Sequence, residues 1–214
     1  MDQAVGQILD TLDRLKLSEN TLIIFTSDNG PHGQYSKAKP LRGSKGMYYE
    51  GGIREPFLVR HPAKIKAGSK NETPIHQIDL FPTFLALAEG EKPTTQPLDG
   101  INLLPAFSGN DLPERSLFWH FPAYLQGYRN DPDARSANFR TTPCSVIREG
   151  DWKLIQYHED GALELFNLKN DLSERTNLSK VESERAQVML KKLQAWQQDT
   201  KAPIPSERNP AYKK

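Results

Sequence analysis

An α/β architecture that gives way to a carboxyl-terminal antiparallel β-sheet is what this chain of 214 residues encodes, on three grounds. The opening part alternates helical and extended periodicities; the later part shifts to short strand patterns joined by hairpin turns. A last amphipathic pattern then supplies a helix to cover the sheet. Between the first two strand patterns lies a long glycine-dotted loop, and it carries most of the residues that suggest chemistry.

Val5, Ile8, Leu9, Leu12 and Leu15 fall at helical spacing, so residues 2–16 read as a helix with one apolar stripe. After the turn Leu17-Ser18-Glu19-Asn20, residues 21–26 read as a buried strand rich in β-branched and aromatic side chains. Phe57–Arg60 reads as a second strand, ended by His61-Pro62. A helix is expected from about Ile78 to Glu89, with Asp79 as N-cap, Pro82 tolerated in the first turn and Gly90 as the stop. Leu80, Phe81, Phe84, Leu85 and Leu87 make it almost wholly apolar, so most of its surface should be covered.

Beyond the proline-bearing connector Lys92–Pro97 the pattern changes. Leu117–Phe121, Ser145–Arg148, Lys153–Tyr157 and Leu163–Asn167 read as strands, with Gly150-Asp151 and Glu159-Asp160-Gly161 as hairpin turns. Ser179-Lys180-Val181-Glu182 has the form of a capping box, and Ala186, Met189, Leu190, Leu193 and Trp196 share one face of the helix that follows. The expected division is an α/β part over 1–110, a sheet-and-helix subdomain over 111–201, and a loose tail over 202–214.

Composition narrows the function classes. Twenty-eight basic side chains against 27 acidic give a net charge of +1, which provides no long-range field for nucleic acid or anionic lipid. No apolar stretch approaches the roughly 18 residues needed to cross a bilayer, and no targeting segment precedes the first helix pattern. The one cysteine, Cys144, rules out an internal disulfide.

The loop from Thr26 to Pro56 holds the candidate chemistry. Asp28 and Asn29 come just after the apolar run Leu22-Ile23-Ile24-Phe25, past Thr26 and Ser27, so a carboxylate and a carboxamide stand at the carboxyl end of a strand, where open α/β folds place their sites. Those oxygens suit a hard cation, calcium or magnesium, better than zinc. Lys45, between Gly43 and Gly46, could hold an anion against such a cation. Taken alone, Asp28-Asn29-Gly30 is also an ordinary turn sequence.

Ser27-Asp28-Asn29-Gly30, then Pro40-Leu41-Arg42-Gly43-Ser44-Lys45-Gly46, then Tyr49-Glu50-Gly51-Gly52-Ile53-Arg54-Glu55-Pro56 resembles the second signature of the type I sulfatases, relatives of alkaline phosphatase that hydrolyse sulfate esters. The likeness continues through Asp79-Leu80-Phe81-Pro82-Thr83 and Leu98-Asp99-Gly100-Ile101-Asn102-Leu103-Leu104-Pro105. It implies an alkaline-phosphatase-like sulfatase fold, with calcium (or magnesium) bound by Asp28 and Asn29 and the sulfate contacted by Lys45. That family attacks sulfur with a formylglycine made from a Cys/Ser-x-Pro/Ala-x-Arg motif, and none occurs here: Cys144 lies in Thr142-Pro143-Cys144-Ser145-Val146. The expectation is therefore an incomplete fold, the carboxyl-terminal half of a sulfatase, whose partner is the missing amino-terminal half with its nucleophile and further acidic ligands. The complete enzyme would take a sulfated small molecule or glycan and, by family, be periplasmic, secreted or lysosomal.

Other candidates are weaker in kind. His32 follows the proposed ligands closely and serves equally as a substrate contact or a rim residue. His120, at the end of a strand pattern among Phe118, Trp119 and Phe121, is a candidate substrate contact. Arg129, Arg135 and Arg140 lie in the aperiodic segment 123–143, which reads as a substrate-facing loop or a plain surface excursion. Arg42, Glu50, Arg54 and Glu55 are expected to pair within the loop and fix Lys45. Two rival functions stay open: a phosphoester or phosphonate hydrolase of the same superfamily, and a non-catalytic fragment that binds anions or partners.

Overall fold

The structure, a computed structural model, describes residues 1–127 and 131–207. Two compact units divide the chain: Met1–Thr26 with Pro56–Glu114, and Ser27–Glu55 with the described residues from Arg115 onward. The segment 27–55, which the sequence grouped with the α/β part, thus belongs with the carboxyl-terminal sheet.

In the first unit, α1 (Asp2–Arg14) precedes β1 (Ile23–Thr26). The second unit's loop then contains α2 (Glu50–Ile53), a single turn, before the chain returns as β2 (Phe57–Arg60). β1 and β2 pair antiparallel, Ile23 opposite Arg60 and Thr26 opposite Phe57. The expectation of a buried β1 is not met. Phe25 is 39% exposed and Leu58 64%, because a two-stranded ribbon presents two faces and this unit covers neither fully.

α3 (Leu80–Leu87) follows a 3₁₀ turn, Gln77–Asp79, and α4 (Leu104–Phe107) comes after the connector. Phe81 and Phe84 on α3 remain about half exposed, so the expectation of a covered helix also fails within this chain. Asp79 occupies the N-cap position of α3 but its side chain makes no cap hydrogen bond there. Its carboxylate, with no exposure, accepts instead from the backbone N–H of His76 (2.8 Å) and of Ile101 (2.9 Å). Thr83 adds a second stitch, donating to the Asp79 carbonyl and accepting from Leu103 N–H at 2.9 Å. The two recognisable motifs of this region are thereby one hydrogen-bonded unit.

The second unit is built on a four-stranded antiparallel sheet. β3 (Ser116–Phe121) is one edge; β4 (Leu125–Gln126) and β5 (Phe139–Thr141) form a separate small pair. β6 (Cys144–Glu149), β7 (Trp152–Tyr157) and β8 (Leu163–Asn167) complete the order β3-β6-β7-β8. The β6–β7 hairpin turns in two residues, Glu149 standing opposite Trp152, with Gly150 at φ +52° as such a tight turn requires. β4 and β5 were not expected, because runs of two and three residues leave no readable period.

α5 (Ser183–Asp199) packs on one face of this sheet. Ala186, Met189 and Leu193 meet Ile147, Leu154 and Leu165, with Trp196 stacked on Phe118 at 4.8 Å between ring centres. The capping-box expectation fails: α5 begins four residues after Ser179, whose hydroxyl donates to the Leu163 carbonyl at 3.0 Å. The other face carries Cys144, Val146, Ile155, Tyr157 and Phe166, and it is covered by Met47 and Tyr49 from the loop. Strand alternation makes this division necessary, since neighbours along β7 point to opposite faces. Pro203 is held to the sheet by His120, so the tail is not loose throughout; 208–214 lie outside the described residues. Among the described residues no helix is long and apolar enough to cross a membrane.

Candidate active site

β1 ends at Thr26, and the chain turns at once. The Ser27 hydroxyl donates to the Asn29 carbonyl (2.9 Å), and Gly30 N–H donates to the Gly52 carbonyl (3.0 Å). A Cβ on Gly30 would lie 2.1 Å from the Gly51 carbonyl oxygen, and one on Gly52 only 2.0 Å from that of Met47. Only hydrogen fits at either place, so the glycines let two stretches of main chain touch. Asp28 is exposed and Asn29 half-buried at the head of this turn.

Lys45 reaches the same turn through its backbone. Its N–H donates to the Pro31 carbonyl at 3.0 Å, although the two are fourteen positions apart in sequence. Its side chain is exposed. The flanking Gly43 and Gly46 both adopt φ +85°, a conformation L side chains rarely take, and the Gly46 carbonyl accepts from the Thr141 hydroxyl of β5. The turn and the lysine loop are therefore assembled by main-chain contacts within one unit.

Glu55 lies near Asp28. Burial, and then the Asp28 carboxylate, push the Glu55 carboxyl above its usual range; Glu55 Oε1 is buried without a hydrogen-bond partner. A carboxylate that disfavours the charge of the neighbouring Glu55, beside a neutral carboxamide, is a donor set that a hard cation would suit. The residues present thus fit calcium or magnesium as partial ligands. Among the described residues, no three His, Cys, Asp or Glu side chains converge as a metal cluster.

Of the loop's charged residues, Arg54 and Glu50 pair within the loop as expected, but Glu50 also pairs with the sheet and Arg42 reaches main-chain carbonyls beyond the loop. The Arg42 guanidinium lies 3.7 Å from the Tyr49 ring centre and donates to the carbonyls of Glu174 (3.1 Å) and Asp133 (3.3 Å). Glu50, 1% exposed, has the Lys153 ammonium 3.1 Å from Oε1, and Arg148 and Arg54 each 3.5 Å from Oε2. Burial opposes its charge, but Lys153, Arg148 and Arg54 prevail and hold its carboxyl below the ordinary range. Glu174 is raised instead: burial, with the neighbouring Glu50 carboxylate adding to it, outweighs the Lys153 ammonium. The sequence reading missed Lys153 and Glu174. The one available signal was a lysine at an inward position of a strand pattern, between Trp152 and Leu154.

The remaining candidates lie elsewhere in the unit. His32 is exposed and stacks on Tyr35, ring centres 5.1 Å apart. Both ring nitrogens of His120 are engaged in the sheet layer, Nδ1 with Ser145 Oγ (2.7 Å) and Nε2 with the Pro203 carbonyl (3.1 Å). Ser145 Oγ also meets His158 Nε2 at 2.9 Å. Arg135 pairs with Asp160 and covers the Tyr157 ring at 4.2 Å. Arg129 falls outside the described residues. Burial pushes the Cys144 thiol up to about 12, which makes it an inert core group.

The turn bearing Asp28 and Asn29 and the lysine loop that the glycines close onto it both fall in the region where a family profile matches. The sequence profile of the Sulfatase family matches residues 1–90, and the chain is similar to sulfatases over most of its length. It is 35% identical to a sulfatase of Formosa agariphila over 95% of this chain and 39% of that protein. It is 41% identical to human steryl-sulfatase over 62% of this chain and 24% of that protein. A crystal structure of Ps i-CgsB with k-i-k-neocarrahexaose superposes with a TM-score of 0.75 at 31% identity, covering 92% of this chain and 41% of that one. The fold is the alkaline-phosphatase-like one of these enzymes, in part, since the chain spans well under half of each relative's length.

Proposed function

We propose that the chain serves as the carboxyl-terminal portion of a sulfuric ester hydrolase, contributing Asp28 and Asn29 to a cation site and Lys45 to the sulfate. The observation that carries this reading is the main-chain closure between the Asp28-Asn29-Gly30 turn and the Lys45 loop, through Gly30–Gly52 and Lys45–Pro31. A calcium or magnesium ion, when bound, would neutralise charge on the sulfate oxygens. Asp28 supplies negative charge to hold it, and Asn29 supplies an oxygen without adding charge. In this reading the Lys45 ammonium steadies the charge that grows on the sulfuryl oxygens as the ester breaks. In this reading the formylglycine nucleophile comes from the portion of the relatives' length that this chain does not span. The half-exposed apolar side chains Phe25, Leu58, Phe81 and Phe84 support a missing amino-terminal half as the partner that covers them.

For the substrate, a sulfated carbohydrate has the better support. The neighbour solved with a carbohydrate matches 92% of this chain, whereas the steryl-sulfatase match covers 62%. The test is kinetic. The full-length enzyme containing this chain, assayed on 4-nitrophenyl sulfate, 4-nitrophenyl phosphate and sulfated oligosaccharides, is expected to favour sulfate esters. A marked phosphate preference would overturn the assignment, and turnover by these 214 residues alone would refute a nucleophile from elsewhere.

A further inference from the structure

Lys153 has no solvent exposure, yet it is a full charge at an inward position of β7. Its ammonium lies 3.1 Å from Glu50 Oε1 and 2.8 Å from Glu174 Oε1, the latter an ion-pair contact off the hydrogen-bond direction. The ring closes through main chain, since Glu50 N–H donates to Glu174 Oε2 at 2.5 Å. Glu50 and Glu174 are themselves 1% and 0% exposed.

Such a group is a poor device for stability alone. Desolvating three charges costs most of what their attraction returns, and apolar side chains of similar volume often serve as well. What it fixes is geometry. Glu50 opens α2, and Gly51 and Gly52 follow directly. Gly51 N–H donates to the Arg42 carbonyl at 2.7 Å, at the head of the Lys45 loop. Gly52 carbonyl accepts from Gly30 N–H at 3.0 Å, beside Asn29. A single path of short contacts thus runs from a strand of the sheet to both parts of the candidate site.

We propose that Lys153 is a positioning residue: through Glu50 it fixes α2, and through the α2 glycines it holds the Asp28-Asn29 turn and the Lys45 loop in register. Lys153 touches neither substrate nor cation, and the inference rests on the functional reading above. Glu174 is the second point of the clamp. Sheet and site are thereby coupled by charge, in addition to the apolar packing and the hydrogen bonds that attach the rest of the loop.

The test uses the full-length enzyme. K153M/E174Q removes one buried cation and one buried anion together and leaves Glu50 with Arg148 and Arg54, so no buried charge is stranded; K153R keeps the cation. In K153M/E174Q, amide exchange should quicken at Lys45, Gly51 and Gly52 but not in β6 and β7, and kcat on 4-nitrophenyl sulfate should fall on the order of 10–100-fold. KM should change less than kcat, and K153R should recover part of the rate. Unchanged loop exchange with full activity per folded molecule overturns the proposal. If the double variant does not fold, E50Q is read by the same two measurements. Lys45→Ala run alongside separates the two readings: if it leaves kcat intact, the functional assignment fails, while loop exchange still decides whether Lys153 holds the loop.

Discussion

The backbone N–H of Lys45 donates to the carbonyl of Pro31 over 3.0 Å, fastening the loop that carries the cation to the turn that carries Asp28 and Asn29. That bond leaves the Lys45 side chain free of structural duty within the fold, since it is exposed. Lys45→Ala should therefore leave the melting temperature of the full-length enzyme within about 1 °C while lowering kcat on a sulfate ester by about 10²–10³. A matched loss of stability would mean that the side chain is structural.

Asp28 and Asn29 predict a dependence on divalent cation. Chelation of the full-length enzyme should abolish turnover, and calcium or magnesium should restore it. Asp28→Ala should weaken cation binding, measured by calorimetry, and cut kcat/KM by at least about 10². Cation binding that Asp28→Ala leaves unaltered would remove this residue from the ligand set.

Asp79 is the knot of the first unit. Replacing it with alanine leaves the partly buried N–H groups of His76 and Ile101 without their acceptor, each worth about 1–3 kcal/mol at most. Asp79→Ala should therefore cost about 2–4 kcal/mol in urea unfolding, and Asp79→Asn less, because one acceptor oxygen survives. A cost near zero would show that water or a neighbour replaces both acceptors.

His158 gives a pH signature. Burial, and then His120, hold its imidazole below the ordinary 6.5, so the unfolded chain takes up a proton at higher pH than the folded chain. Stability is then unaffected above the unfolded value and falls as pH drops from about 6.5 towards the lower folded value. Urea midpoints of the wild type, measured between about pH 7.5 and 5, should decline more steeply than those of His158→Gln. Parallel curves would contradict the shift.

The sequence determined the order and kind of most elements. The α5 face, β8 and the Asp-Asn-Gly turn could be read from spacing, because period and turn chemistry are local properties. The motif residues Asp28, Asn29 and Lys45 were legible for the same reason: their order along the chain carries the resemblance. Burial was not legible. A run such as Leu22–Phe25 or Leu80–Leu87 is apolar whichever surface covers it, and Phe25, Phe81 and Phe84 turned out partly open within this chain.

Only tertiary structure decided what the loop's charges do. Glu50, Lys153 and Glu174 stand over a hundred residues apart at the extremes, and nothing in their local patterns pairs them; the sheet register brings them together and burial makes the pairing obligatory. The same holds for Gly30 and Gly52, whose need for hydrogen in place of a side chain appears only where two distant stretches of backbone touch. A sequence specifies short-range geometry directly. Contacts at long range depend on which surfaces the folded chain presses together.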